Sequence, residues 1–121
     1  MTQTLDSSTN YPAVLQRAQA NMGKLAKAQP KIMSGFQALH EGASQSGALD
    51  TKTKELIALA IAVAGRCDGC IAFHTNDALK AGANREEIMD ALGVAVLMGG
   101  GPSTIYAGHV IDAMEQFQNQ G

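Results

Sequence analysis

Glu55, Cys67, Cys70 and His74 fall within one short stretch, ELIALAIAVAGRCDGCIAFH, and all four are residue types that move protons or electrons. Cys67 and Cys70 are the only cysteines in the chain. Three positions apart, they can close only a very small loop, which does little for fold stability, so their value is chemical: redox or metal binding. In a Cys-x-x-Cys at a helix start, thiolate charge meets unpaired backbone N–H groups and the positive end of the helix dipole, which lowers the thiol pKa. On this reasoning Cys70 is better placed than Cys67. One thiol can then attack a peroxide or disulfide while the other resolves the sulfenic acid or mixed disulfide, and both routes end in a Cys67–Cys70 disulfide.

His74 follows Cys70 by four residues, so on a helix the two share a face and the imidazole can accept or return the thiol proton. Arg66 adds positive charge beside the pair. Glu55 is the last charged residue before an apolar run and can approach the thiols if the helices on either side pack antiparallel. Simpler readings stand beside these. The cysteines can be small buried residues at a helix junction, and Glu55 a solvated residue in an exposed first turn. Cys67, Cys70, His74 and Glu55 also make a possible four-ligand zinc set. The sequence does not favour attachment of c-type haem, because Ile71, not His, follows Cys70.

The positioning elements read as helices. Pro12 suits a first helical turn, and Val14, Ala18, Met22 and Leu25 recur at helical spacing, predicting helix one over 12–28. Pro30 opens helix two, with Ile32, Met33, Phe36 and Leu39 on one face until the polar SQSG at 44–47. Asp50 is an expected N-cap for helix three, 51–65, whose run Leu56 to Ala64 is apolar on all sides and so belongs at the centre of the domain or under another subunit. Gly65 is expected to end it. Helix four then carries Ile71, His74, Ala78 and Ala81 up to Gly82. Asn84 and Glu87 form a capping-box pair opening helix five, and GGGP at 99–102 breaks it. Helix six starts at Pro102 with a stripe of Tyr106, Val110, Ala113, Met114 and Phe117. His109 beside that stripe is expected to be a core or interface histidine, with a supporting role at the thiols as the alternative. His40 is expected on the surface. No GK[ST] follows the glycines at 99–101, so a helix break explains them without phosphate.

At 121 residues the chain suits one all-α domain, residues 11–121, behind a polar flexible tail, 1–10. A net charge of −2 without a basic cluster gives no support for nucleic acid or anionic membrane partners. The apolar run 56–64 is about half the ~20 residues that cross a bilayer, and the N-terminus has no basic-then-apolar signal, so a cytoplasmic protein is expected. A core of Ala, Leu, Ile, Val and Met with few aromatics allows close helix packing, and a homo-oligomer is expected from it.

The pattern E-x11-C-x2-C-x3-H, an alanine-rich helix and the later GGGPSTIYAGH resemble the carboxymuconolactone decarboxylase and alkylhydroperoxidase D-like family over about residues 30 to 117. The resemblance implies a six-helix fold assembled as trimers or hexamers. It also implies a redox centre in which Cys70 attacks, Cys67 resolves, and Glu55 with His74 relays protons. Some redox members carry a histidine between the cysteines, where this chain has Asp68 and Gly69. The expected activity is therefore a thiol-dependent oxidoreductase acting on a small-molecule hydroperoxide or a partner disulfide, with no organic cofactor. The alternatives are a carboxymuconolactone decarboxylase-type lyase, whose chemistry needs no dithiol, and a non-enzymatic oligomeric protein with structural zinc or buried thiols.

Overall fold

Helix starts in this chain are set by residues that satisfy or dispense with the orphan N–H groups of a first turn. The computed structural model describes residues 9–120, and among them the architecture is all-α, with six helices and no strand. They are α1 (Tyr11–Ala28), α2 (Pro30–Ser44), α3 (Thr51–Ala64), α4 (Asp68–Lys80), α5 (Arg85–Gly99) and α6 (Gly101–Asn119). Asn10 caps α1 by accepting from Ala13 N–H at 3.0 Å, and Asp50 caps α3 by accepting from Thr53 N–H at 2.8 Å. Asn84 and Glu87 form the expected reciprocal capping box at α5. Pro12, Pro30 and Pro102 all fall in first turns. The expected tail 1–10 lies mostly outside the described residues. Its last two positions are held: besides the Asn10 cap, the Thr9 carbonyl accepts from Gln116 Nε2 at 2.8 Å.

The core gathers around α3 and α4. Leu59 and Val63 of α3, Ile71 of α4, Ile88 of α5, and Val110 and Met114 of α6 are fully buried together. Each such aliphatic side chain contributes about 1.5–3 kcal/mol by leaving water. Alanines 62, 72, 78, 95 and 113 fill the helix crossings, so the backbones approach closely. Lys52 Nζ meets Glu87 Oε2 at 2.7 Å, an ion pair between α3 and α5 that holds the Glu87 carboxyl below its usual range and the Lys52 ammonium above its own.

Helix α3 is central, as expected, and Ile57 and Ile61, 46% and 66% exposed, leave one side of it uncovered within the chain. No residue of α2 is buried, and Met33 and Phe36 of its stripe face a cavity. One expectation needs correction. The α3 terminus does not place its left-handed residue at Gly65, which keeps a right-handed φ of −83°, but at Arg66, with φ 58°. The motif is otherwise the one that closes α4. There, Gly82 N–H reaches Leu79 O and Ala83 N–H reaches Ala78 O; here, Arg66 N–H reaches Val63 O and Cys67 N–H reaches Ala62 O. In α4 the positive φ falls on a glycine, at 97°. In α3 an arginine carries it, at an expected cost of about 1–2 kcal/mol, directly before Cys67.

Candidate active site

The turn through Gly65 and Arg66 sends α4 back along α3, and Cys67 becomes the N-cap of α4. Its Sγ accepts from Cys70 N–H at 3.1 Å. In the disulfide it is thus the sulfur of Cys67, not of Cys70, that meets a helix-start N–H. An N-cap side chain reaches the donors of the first turn, whereas a side chain at the third helical position projects sideways. Cys67 and Cys70 are joined as a disulfide, with Cα atoms 5.2 Å apart. Cys70 is exposed and Cys67 half-buried.

The return of α4 along α3 also brings Glu55 to His74. Glu55 Oε1 lies 2.8 Å from His74 Nδ1, and Glu55 is 6% exposed, so it is not the solvated residue that its place in a first turn suggests. A buried carboxylate needs such a partner, because burying an unpaired charge is costly. The pair fixes the ring: with Nδ1 engaged by the carboxylate, Nε2 is the nitrogen left to exchange protons.

Cys70, His74 and Asp77 follow one another at four and three residues along one face of α4, and all three line a cavity of about 880 Å³ together with Cys67, Gly69 and Phe73. Helix α1 supplies Met22 and Ala26 to the opposite wall, and α2 supplies Met33, Phe36 and His40. His40 is on the surface as expected, but that surface is the cavity. Arg66 is exposed and is not part of the wall. Asp77 was not singled out from sequence, although its spacing from Cys70 and His74 carried the signal. Burial, and after it the Glu55 charge, push the Asp77 carboxyl above its ordinary range, while His74, Lys80 and His40 pull it down.

A metal would find its donors among these groups. Among the described residues, Glu55, His74 and Asp77 form the one set whose ligand atoms all lie within 4.8 Å of one another. The alternative zinc set of Cys67, Cys70, His74 and Glu55 is not assembled, since the two sulfurs are bonded to each other. A second polar cluster lies around Asp68, between the cysteines in sequence. Asp68 Oδ1 accepts from Tyr11 Oη at 3.0 Å and lies 2.9 Å from His109 Nδ1, so His109 is tied to the dithiol loop. Tyr11 is 1% exposed although it lies ahead of the apolar stripe by which α1 is recognised.

No helix among the described residues is long and apolar enough to cross a membrane. Comparison with known proteins agrees with the fold. An uncharacterized protein of Cupriavidus necator is 42% identical over 100 residues, covering 83% of this chain and 88% of its own. The crystal structure of an apo carboxymuconolactone decarboxylase family protein from Legionella pneumophila superposes with a TM-score of 0.86 at 46% identity, over 88% of this chain and 96% of that one. A family protein from Thermotoga maritima gives 0.80 at 27% identity, over 88% and 91%. The model of the carboxymuconolactone decarboxylase family matches residues 30–113, which takes in Glu55, both cysteines and His74; the chain belongs to that family.

Proposed function

We propose that this protein is a cytoplasmic thiol-dependent oxidoreductase that reduces an organic hydroperoxide or a partner disulfide through Cys67 and Cys70. The observation that carries this reading is that the disulfide and His74, the latter held by buried Glu55, open onto one apolar cavity. In the reduced protein, Cys70 gives its proton to His74 Nε2, and the thiolate attacks the terminal oxygen of the hydroperoxide. The O–O bond breaks, Cys70 becomes a sulfenic acid, and the alkoxide takes a proton from His74 as the alcohol. Cys67 then displaces hydroxide from that sulfur, its own proton completing water, and the disulfide forms. Overall two thiols and ROOH give one disulfide, ROH and H₂O. Glu55 balances the charge on His74 while it carries the proton.

The cavity supports an organic substrate, because 880 Å³ bounded by Met22, Met33, Phe36 and Phe73 is drug-sized and far larger than hydrogen peroxide requires. The lyase alternative is disfavoured by the same wall. A lactone acid would bring carboxylates, and no lysine or arginine lines the cavity to receive them. The Thermotoga relative has itself been suggested to act in the antioxidative response. Assembly as a trimer or hexamer is part of the proposal. It is supported by the apolar side chains left outside the core, among them Ile32, Leu39, Ile61, Leu97 and Met98, and is checked by light scattering.

The deciding experiment is mass spectrometry of the reduced protein before and after cumene hydroperoxide, with alkylation of free thiols. The expected result is loss of two hydrogens, reversed by a dithiol. Cys67→Ser should trap a sulfenic acid on Cys70; trapping in Cys70→Ser instead reverses the two roles. Thiols that stay inert to hydroperoxides and to disulfides across neutral pH refute the function.

A further inference from the structure

The cavity and its His74–Glu55 pair occupy one side of the dithiol loop. Cys67, Gly69 and Cys70 all line that cavity, and Asp68 does not. We propose that Asp68, Tyr11 and His109 form a positioning cluster on the loop's other side, and that it sets the reduction potential of the Cys67–Cys70 pair. The proposal rests on the dithiol reading above.

Asp68 is the first residue of α4, one bond along the chain from Cys67. A carboxylate there opposes the formation of a thiolate beside it, and so works against the reduced form of the pair. In this structure that charge is partnered from two other helices. Tyr11 Oη donates to Asp68 Oδ1 at 3.0 Å, from a residue that is 1% exposed and whose backbone N–H is held by Gln116 Oε1 at 2.7 Å. His109 Nδ1 lies 2.9 Å from the same oxygen, and the His109 ring is set edge-on to Tyr106, with centroids 4.8 Å apart. Both donors are therefore held in place before Asp68 meets them. A pair built only to dock the loop would not need a charged acceptor between the cysteines, since an amide accepts the same bonds.

The electrostatic consequence has a definite sign. A disulfide becomes more oxidising when its reduced, thiolate-bearing form is stabilised. Two hydrogen-bond donors on Asp68 disperse its charge and so favour the reduced dithiol. Removing a donor returns that charge to the loop and makes the pair more reducing; removing the charge itself makes it more oxidising.

The test equilibrates the full-length protein with mixtures of reduced and oxidised dithiothreitol at pH 7, quenches with an alkylating agent and reads the reduced fraction by mass. Two electrons and two protons pass from the small dithiol to the Cys67–Cys70 disulfide, leaving two protein thiols and a cyclic disulfide. Asp68→Asn, which keeps the shape and an acceptor oxygen, should shift the equilibrium constant at least threefold towards reduced protein, or about 14 mV. Tyr11→Phe and His109→Ala should each shift it at least threefold the other way. His109→Ala made in the Asp68→Asn background should move it by less than 1.5-fold, because no carboxylate is left between the cysteines to uncover. Constants within 1.5-fold of wild type in all three single variants overturn the proposal. So does a His109→Ala effect of equal size in both backgrounds, which would mark a packing role. Should Tyr11→Phe or His109→Ala fail to fold, Asp68→Asn alone decides by the same threshold. The measurement needs no turnover, so a protein inert to hydroperoxides and partner disulfides would refute the proposed function while the potentials still judge this cluster.

Discussion

Replacing Glu55 by glutamine separates its chemical role from its structural one. The side chain is 8% exposed, and its Oε1 lies 2.8 Å from His74 Nδ1. When His74 carries the proton of Cys70, that contact is a charge-assisted hydrogen bond, worth about 1.5–3 kcal/mol against about 0.5–1.5 for a neutral one. Glutamine keeps the shape and an acceptor oxygen and loses only the charge. The loss should therefore be about 1–2 kcal/mol, felt when His74 is protonated. At 1.36 kcal/mol per decade, this slows oxidation of the reduced protein by cumene hydroperoxide about 5- to 30-fold.

The melting temperature supplies the control. A buried carboxylate pays a desolvation cost that an amide does not, so Glu55→Gln should melt no lower than wild type. Stopped-flow rates under excess hydroperoxide and thermal melts by circular dichroism give both numbers on the same sample. The expected signature is a slower reaction in an equally stable protein. A rate within twofold of wild type removes Glu55 from the relay, and a rate that falls only alongside the melting temperature reduces it to a packing residue.

Arg66→Gly should stabilise the protein by about 0.5–1 kcal/mol, because it relieves a left-handed arginine at a cost in chain entropy smaller than the strain; unchanged chemical denaturation would contradict this. Thr75→Val should stabilise by about 1 kcal/mol in the same assay, since the Thr75 hydroxyl is fully buried in α4 with no hydrogen-bond partner among the described residues. Asp77→Asn should show a pH-dependent gain. Burial first and the Glu55 charge second raise the Asp77 carboxyl, so the folded chain binds its proton more tightly than the unfolded chain does. Wild-type stability then falls as pH rises from the ordinary aspartate range through the raised native value, and the amide escapes this. The gain is present at neutral pH, where solvent screening keeps it small, and disappears below about pH 4; melts that differ equally at both pH values would refute the assignment.

The parts of this molecule that could be read from sequence are those encoded within one turn of helix. Asn84 and Glu87 announce a capping box three residues apart, Asp50 announces an N-cap, and each is found as written. Cys70 and His74 share a face for the same reason, since four residues is one turn. What local spacing alone leaves open depends on how helices turn back on one another. Glu55 and His74 are 19 residues apart, and their contact exists because the α3 terminus closes through Arg66 rather than running on. Tyr11 and Asp68 are 57 residues apart, and no local pattern links a tyrosine at the head of α1 to the interior of a Cys-x-x-Cys. The apolar stripe on α2 misleads in a related way: periodicity reports that one face avoids water, not whether that face meets the core, a cavity or another chain. Asp77 shows the limit from the other side. Its spacing put it on the face of Cys70 and His74, but an acidic residue on a helix face is ordinarily solvated, and only the walls contributed by α1 and α2 turn that position into part of a site.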